Sequence, residues 1–169
     1  MFAHRYVHRF VLLTALCSLV AGCDRPDERL SSPEATIATL FRAYGVEDLS
    51  EAEAQRMLRE QRRFELVDRP SMLETFADFR VDEQEGMLGF VFGRLVARKS
   101  SLVIERTKDR AEVRAEGEEG SHPIVLIRDG AEWRFSLRQS VPPEIQRRLF
   151  EVHRRALALE QRAVNAQAR

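Results

Sequence analysis

Pro123-Ile124-Val125-Leu126-Ile127-Arg128-Asp129-Gly130-Ala131-Glu132-Trp133-Arg134-Phe135 carries two different strand signatures joined by a turn. Ile124 to Ile127 is a continuous apolar run, the pattern of a central strand covered on both faces. Asp129-Gly130 is a hairpin signal, because glycine tolerates the left-handed backbone that a tight turn between twisted strands requires. Beyond it Trp133, Phe135 and Leu137 alternate with Glu132, Arg134, Ser136 and Arg138, which describes a strand with one apolar and one charged face.

Two more strands precede this hairpin. Leu102 to Thr107 is a strand candidate, and Ala111, Val113 and Ala115 alternate with Glu112, Arg114 and Glu116. The four together predict an antiparallel meander whose apolar face needs a cover. Helical signals upstream supply one. Ser32-Pro33-Glu34 reads as an N-cap, a proline at the first helical position and an acid near the positive helix end. Ile37, Leu40, Phe41 and Tyr44 follow at i, i+3, i+4 and i+7, and Gly45 stops the helix. Ser50 with Glu53 forms a capping box for a second helix running to about Arg63. Pro70-Ser71 opens a short third helix in which Leu73, Phe76 and Ala77 share a face, ending near Phe79. The segment Gly86 to Gly93 holds Gly89 and Gly93 at small-xxx-small spacing, and because glycine weakens helices in water it reads as a buried, partly helical connection.

Downstream, Pro142-Pro143 ends the sheet and opens a long helix. Ile145, Leu149, Val152, Ala156, Leu159 and Ala163 are spaced 4, 3, 4, 3 and 4, a heptad-like seam. Arg147, Arg148, Arg154, Arg155 and Arg162 decorate its sides. The fold class expected is therefore α+β, with N-terminal helices packed on a curved antiparallel β-meander in a cone-like arrangement, plus a long C-terminal helix.

The N-terminus has a different purpose. His4, Arg5, His8 and Arg9 precede an apolar run from Phe10 to Ala21, with no acidic residue among them. This is the layout of a secretory signal, and at roughly 12 residues the run is too short to cross a bilayer core. Leu19-Val20-Ala21-Gly22-Cys23 follows and resembles the lipobox of bacterial lipoproteins, with Val20 where leucine is commonest. That resemblance implies cleavage after Gly22 and diacylation of Cys23. It also implies that Asp24 retains the protein on the inner rather than the outer membrane. Cysteine usage agrees with a lipid on Cys23, since the only other cysteine, Cys17, lies in the segment to be removed and leaves no disulfide partner. Two acyl chains give stable attachment where one is marginal. The organisation expected is a signal over 1–22, a polar tether over 23–32, an α+β domain over 33–140 and an amphipathic helix over 141–169.

Composition bounds the function. The chain of 169 residues carries 27 basic and 27 acidic side chains. Loss of Arg5 and Arg9 with the signal leaves 25 − 27 = −2, so charge points to no nucleic-acid partner.

Helices followed by an antiparallel meander resemble the nuclear transport factor 2-like (cystatin-like) superfamily, in particular its small lumazine-binding-like bacterial lipoproteins. The matching residues are Ser32 to Thr36 with Leu40, Phe41 and Tyr44, and the hairpin Pro123 to Phe135. The long helix after Pro143 and the segment 81 to 100 depart from that pattern. The resemblance implies a cone with a pocket between helices and sheet, and no single activity, since the superfamily holds enzymes and binding modules alike.

Its enzymes place a carboxylate beside a tyrosine or histidine in an apolar pocket. The pocket candidates here are Tyr44, Asp78 and Trp133. Two of them have a structural alternative: core packing for Tyr44 and a solvated helix end for Asp78. His122 before Pro123 reads as a loop histidine. His122 and His153 lack zinc-site spacing, and no nucleophile elbow, phosphate loop or dinucleotide fingerprint occurs. No metal or cofactor is expected. Ile145, Leu149, Val152 and Leu159 form the candidate partner helix, with an envelope protein or anionic lipid as its partner and the N-terminal lipid as the link to the membrane. The first reading is a non-catalytic, lipid-anchored periplasmic module for binding or envelope assembly. An isomerase or hydratase using Tyr44 and Asp78 is the alternative.

Overall fold

The computed structural model describes residues 27–60, 62 and 64–167. The signal segment, Gly22, Cys23 and Asp24 lie outside the described residues.

Four helices come first: α1 (Pro33–Ala43), α2 (Glu51–Arg59), α3 (Arg69–Glu74) and α4 (Glu85–Ala97). The meander follows, β1 (Leu102–Arg106), β2 (Arg110–Ala115), β3 (Ile124–Asp129) and β4 (Glu132–Phe135), and then a helical turn, α5 (Leu137–Ser140), and the long α6 (Pro143–Gln167). The molecule is α+β, with an open, wholly antiparallel sheet in the order β1-β2-β3-β4.

Helix starts follow the capping residues. Ser32 accepts a hydrogen bond from Ala35 N at 3.1 Å, and Pro33 opens α1. Ser50 and Glu53 form both halves of the capping box, at 3.3 Å and 3.0 Å. Gly45 ends α1 with φ +57°, where a side chain would be strained.

Register places the apolar residues of successive strands in rows. Ala111 pairs with Leu126 and Leu126 with Phe135, while Ile104 pairs with Val113 and Val113 with Ile124. These rows face α1 and α4, whose Ile37, Leu40, Phe41, Met87, Leu88, Val91, Leu95 and Val96 close the core. Thr36 ties the layers together, its hydroxyl donating to the Trp133 carbonyl at 2.7 Å.

Several elements differ from the sequence expectation. The segment expected as a partly helical connection is a full helix of 13 residues. Met87, Leu88, Val91, Phe92, Leu95 and Val96 bury one helical face, which outweighs the propensity cost of Gly89 and Gly93 on the open side. The third helix stops at Glu74 instead of near Phe79. Phe76 leaves the helix to bridge Phe135 in parallel, with Phe135 N donating to Thr75 O at 2.7 Å and Ala77 N to Phe135 O at 2.9 Å. Strand pairing satisfies backbone groups that a frayed helix end would leave open. Leu137, expected on the last strand, instead begins α5 and is fully buried there. In the hairpin Asp129 pairs with Glu132, so Gly130 (φ +63°) and Ala131 form the two-residue turn.

Residues 28–30, within the segment expected as a polar tether, have regular structure. Glu28–Leu30 forms a 3-10 turn with Leu30 buried, and Arg29 pairs with Asp27 at 2.6 Å and Glu74 at 2.7 Å. Burial of Leu30, the Thr39 hydroxyl donating to the Arg29 carbonyl at 2.9 Å and the Arg29 guanidinium on Glu74 tie this segment to α1 and α3.

Candidate functional site

Tyr44 sits at the C-terminal cap of α1, where the helix stripe delivers its ring against α4. The ring stacks on Phe92, centroids 4.0 Å apart and planes 24° from parallel, and Phe64 meets Phe92 edge-on at 5.2 Å. Together with Leu58, Arg62, Gly89 and Gly93 these aromatics line an open groove. A Cβ on Gly89 or Gly93 would meet nothing within 4 Å, so the glycines leave the groove floor flat. Burial raises the Tyr44 phenol pKa above its ordinary value, with the charge of Glu85 adding to the effect. The groove suits an apolar or aromatic group. Among the described residues its lining presents one arginine and no carboxylate or histidine.

Asp78 is placed elsewhere. One carboxylate oxygen accepts from Leu137 N at 2.8 Å, and the other accepts from Ser136 Oγ and Arg138 N, each at 3.1 Å. Ser136 Oγ in turn accepts from Gln139 N at 3.3 Å. Asp78 and Ser136 thereby satisfy the first three N–H groups of α5. The side chain reads as a helix cap contributed from a distant segment, with both oxygens engaged.

Trp133 is buried in the core, on β4. The groove lined by Tyr44 includes neither Trp133 nor Asp78, so the three pocket candidates are not gathered around it. His122 is a loop residue, its Nε2 2.9 Å from the Gln139 carbonyl and its own carbonyl accepting from Arg94 at 2.5 Å. Among the described residues no His, Cys, Asp and Glu side chains gather in a group able to hold a metal ion.

No protein-family model, curated protein or solved structure matches the chain.

The third candidate surface is α6, about 37 Å long at 1.5 Å per residue. Its seam divides in two. Ile145 and Leu149 are half-buried and pack on the core, Leu149 lying over Gly86 of α4. From Val152 onward the apolar residues face solvent: Val152 is 62% exposed, Leu157 51%, Leu159 64% and Val164 62%. The structure thus separates Ile145 and Leu149, which dock the helix, from Val152 and Leu159, which it leaves uncovered. The only helix of the described residues with 18 or more residues is this one, and none is apolar enough to cross a membrane.

Two structural features were missed by sequence reading. Phe64 and Phe92 complete the Tyr44 groove; Phe92 was visible as part of the period Leu88, Phe92, Val96, but Phe64 stands in an irregular segment. Lys99 donates to the carbonyls of Val46 at 2.8 Å and Leu49 at 3.0 Å, and also to that of Glu47, pinning the loop after α1. No local pattern announces a lysine that bonds to backbone fifty residues away.

Proposed function

We propose that the chain is a lipid-anchored, non-catalytic module of the bacterial envelope that works by presenting the outer half of α6 to a protein partner. The observation that carries this reading is the uncovered seam, Val152 to Ala163, on a helix docked to the domain only through its first turns. Solvent-facing apolar residues in a continuous heptad stripe are costly to leave open, and they mark interaction surfaces.

The anchor rests on sequence: the charged and apolar N-terminus and the lipobox-like Leu19 to Cys23. Asp27, the first described residue, is four residue steps from Cys23, a span of at most about 14 Å whatever the conformation between them. The domain would then sit against its membrane. Asp24 favours the inner membrane. The order of helices followed by an antiparallel meander supports kinship with the nuclear transport factor 2-like superfamily, although α4 and α6 are additions to that pattern.

Non-catalytic action is favoured because, among the described residues, the groove lining carries no base for Tyr44, and the Asp78 carboxylate is engaged in capping. The test is a photo-crosslinking residue placed at 159 in the anchored protein, with position 154 on the opposite face as control. A protein adduct from 159 and none from 154 is expected. Absence of any protein adduct from 159 would overturn the reading.

A further inference from the structure

Resting on that reading of α6, we infer that the occupant of its exposed seam is a second copy of the same chain, paired in parallel and in register. The argument begins with what flanks the seam. With Val152 and Leu159 at heptad position d and Ala156 and Ala163 at a, the g positions are Arg148, Arg155 and Arg162 and the e positions are His153 and Glu160. In a parallel pair, a g residue faces the e residue five positions later on the partner. Arg155 of each chain therefore meets Glu160 of the other, twice by symmetry. In an antiparallel pair g faces g, and Arg155 would meet Arg162. One opposite-charge contact from each chain, Arg155 with Glu160, thus favours self-pairing in the parallel orientation.

The placement of the domain allows this geometry. Gln146, Leu149, Phe150 and His153 are half-buried, whereas Arg148, Val152 and Arg155 are exposed. Over the first turns the domain therefore covers the e flank together with Ile145 and Leu149, and from Arg154 onward the seam and both of its flanks are open. A two-fold axis parallel to the helices sets the two domains on opposite sides of the pair. Ala156 and Ala163 at a let the helices approach closely.

Anionic lipid fits less well. A helix lying in a headgroup layer needs its acidic groups away from its apolar side, yet Glu160 stands between Ala156 and Val164, within the apolar arc. The seam is also short. Two heptads pair weakly in dilute solution, and anchoring both chains in one membrane plane raises their effective concentration.

The experiment uses the lipidated protein in its own membranes, where a lipidated Cys23 leaves no free thiol. Leu159→Cys introduces one at a d position, and Arg154→Cys one on the opposite face. Mild oxidation is expected to link Leu159→Cys into a disulfide dimer and to leave Arg154→Cys monomeric. Glu160→Arg should lower the dimer yield about tenfold, and Arg155→Glu combined with Glu160→Arg should restore it. Equal dimer yields from positions 159 and 154 would overturn the inference, as would failure of the charge swap to restore pairing. Photo-crosslinks from 159 to a different protein would sink self-pairing while the seam reading stands. Crosslinks to lipid alone would sink both. The monomer mass on the same samples reports lipidation separately.

Discussion

Asp78 caps Leu137 from 59 residues away, its carboxylate 2.8 Å from the Leu137 backbone nitrogen. The bridge between Phe76 and Phe135 makes this possible, because it lays the chain end of α3 beside β4 and brings Asp78 to the start of α5. Leu137 is fully buried, so its N–H has no water to turn to. Asp78→Ala is expected to destabilise the fold by about 2 kcal/mol, the loss of a cap plus an unsatisfied buried donor. Asp78→Asn, which keeps an acceptor oxygen, should cost less. Urea titrations of both variants measure this; equal stability of wild type and Asp78→Ala would show that the cap contributes nothing.

The contrast between Asp78 and Tyr44 shows where sequence reading succeeds. Ser32, Ser50 with Glu53, Gly45 and the alternation from Ala111 to Ala115 are local signals, and each is met by the structure, because capping and strand alternation depend on neighbours in sequence. The aromatic stripe through Tyr44 likewise finds the core side of α1. Asp78 and Phe76 are decided by β4, which lies far along the chain, and so the helix they seemed to extend ends early. Gly89 and Gly93 misled in the other direction: their low helix propensity hid a buried face that only packing against α1 and the sheet makes decisive. Along α6 the period was legible, but which half of the seam the domain covers was not.

Ser140 extends the sheet where β4 ends. Its hydroxyl accepts from Val125 N at 2.9 Å and donates to Val125 O at 3.3 Å, and both residues are fully buried. One side chain thus serves both backbone groups of a central-strand residue. Ser140→Ala should cost about 2 kcal/mol, since it strands a buried N–H. Hydrogen exchange at Val125 should quicken in the same variant, and unchanged protection there would contradict the role assigned to the hydroxyl.

Three glycines in one helix predict different outcomes. Gly89 and Gly93 have open space where a Cβ would go, so Gly89→Ala and Gly93→Ala are each expected to stabilise the domain by roughly 0.5–1 kcal/mol through helix propensity. A Cβ on Gly86 would lie 3.1 Å from Cδ2 of Leu149 and press on the contact that docks α6. Gly86→Ala should therefore gain less than the other two. Thermal denaturation of the three single variants gives the ranking directly.

Titration should act at both ends of the pH scale. Hydrogen bonds from Arg29 to Asp27, Ser100 to Glu51, Ser50 to Glu53, Ser71 to Asp68, and Arg114 and Arg110 to Glu112 hold these carboxyls below their ordinary pKa values. The unfolded chain then binds more protons than the folded one as pH falls past about 4, so stability present at neutral pH is lost on acidification. Tyr44 has the opposite sense at high pH. Its raised pKa means the folded state keeps the proton longer, and stability falls as pH rises past about 10. Tyr44 is the sole tyrosine after Cys23, so phenolate absorbance of the processed protein reads it alone, and a midpoint at or below the ordinary value would contradict burial of the ring.

Leu149 and Leu159 stand on one seam in different environments, and they should respond differently to the same substitution. Leu149 is half-buried over Gly86, so Leu149→Ala removes apolar contact that fastens α6 to α4 and is expected to cost about 1–2 kcal/mol. Leu159 is 64% exposed and touches no other element of its own domain core, so at low protein concentration Leu159→Ala should change stability by no more than about 0.5 kcal/mol. The difference is read from urea midpoints on dilute protein. At higher concentration the ordering acquires a second component: a seam that pairs with a second copy makes wild-type stability rise with concentration by mass action, and Leu159→Ala should abolish that rise while Leu149→Ala leaves it in place. A concentration-independent wild type would leave Leu159 with no energetic role in solution, and a Leu159→Ala cost matching that of Leu149→Ala in dilute protein would mean that the outer half of α6 folds back onto its own domain.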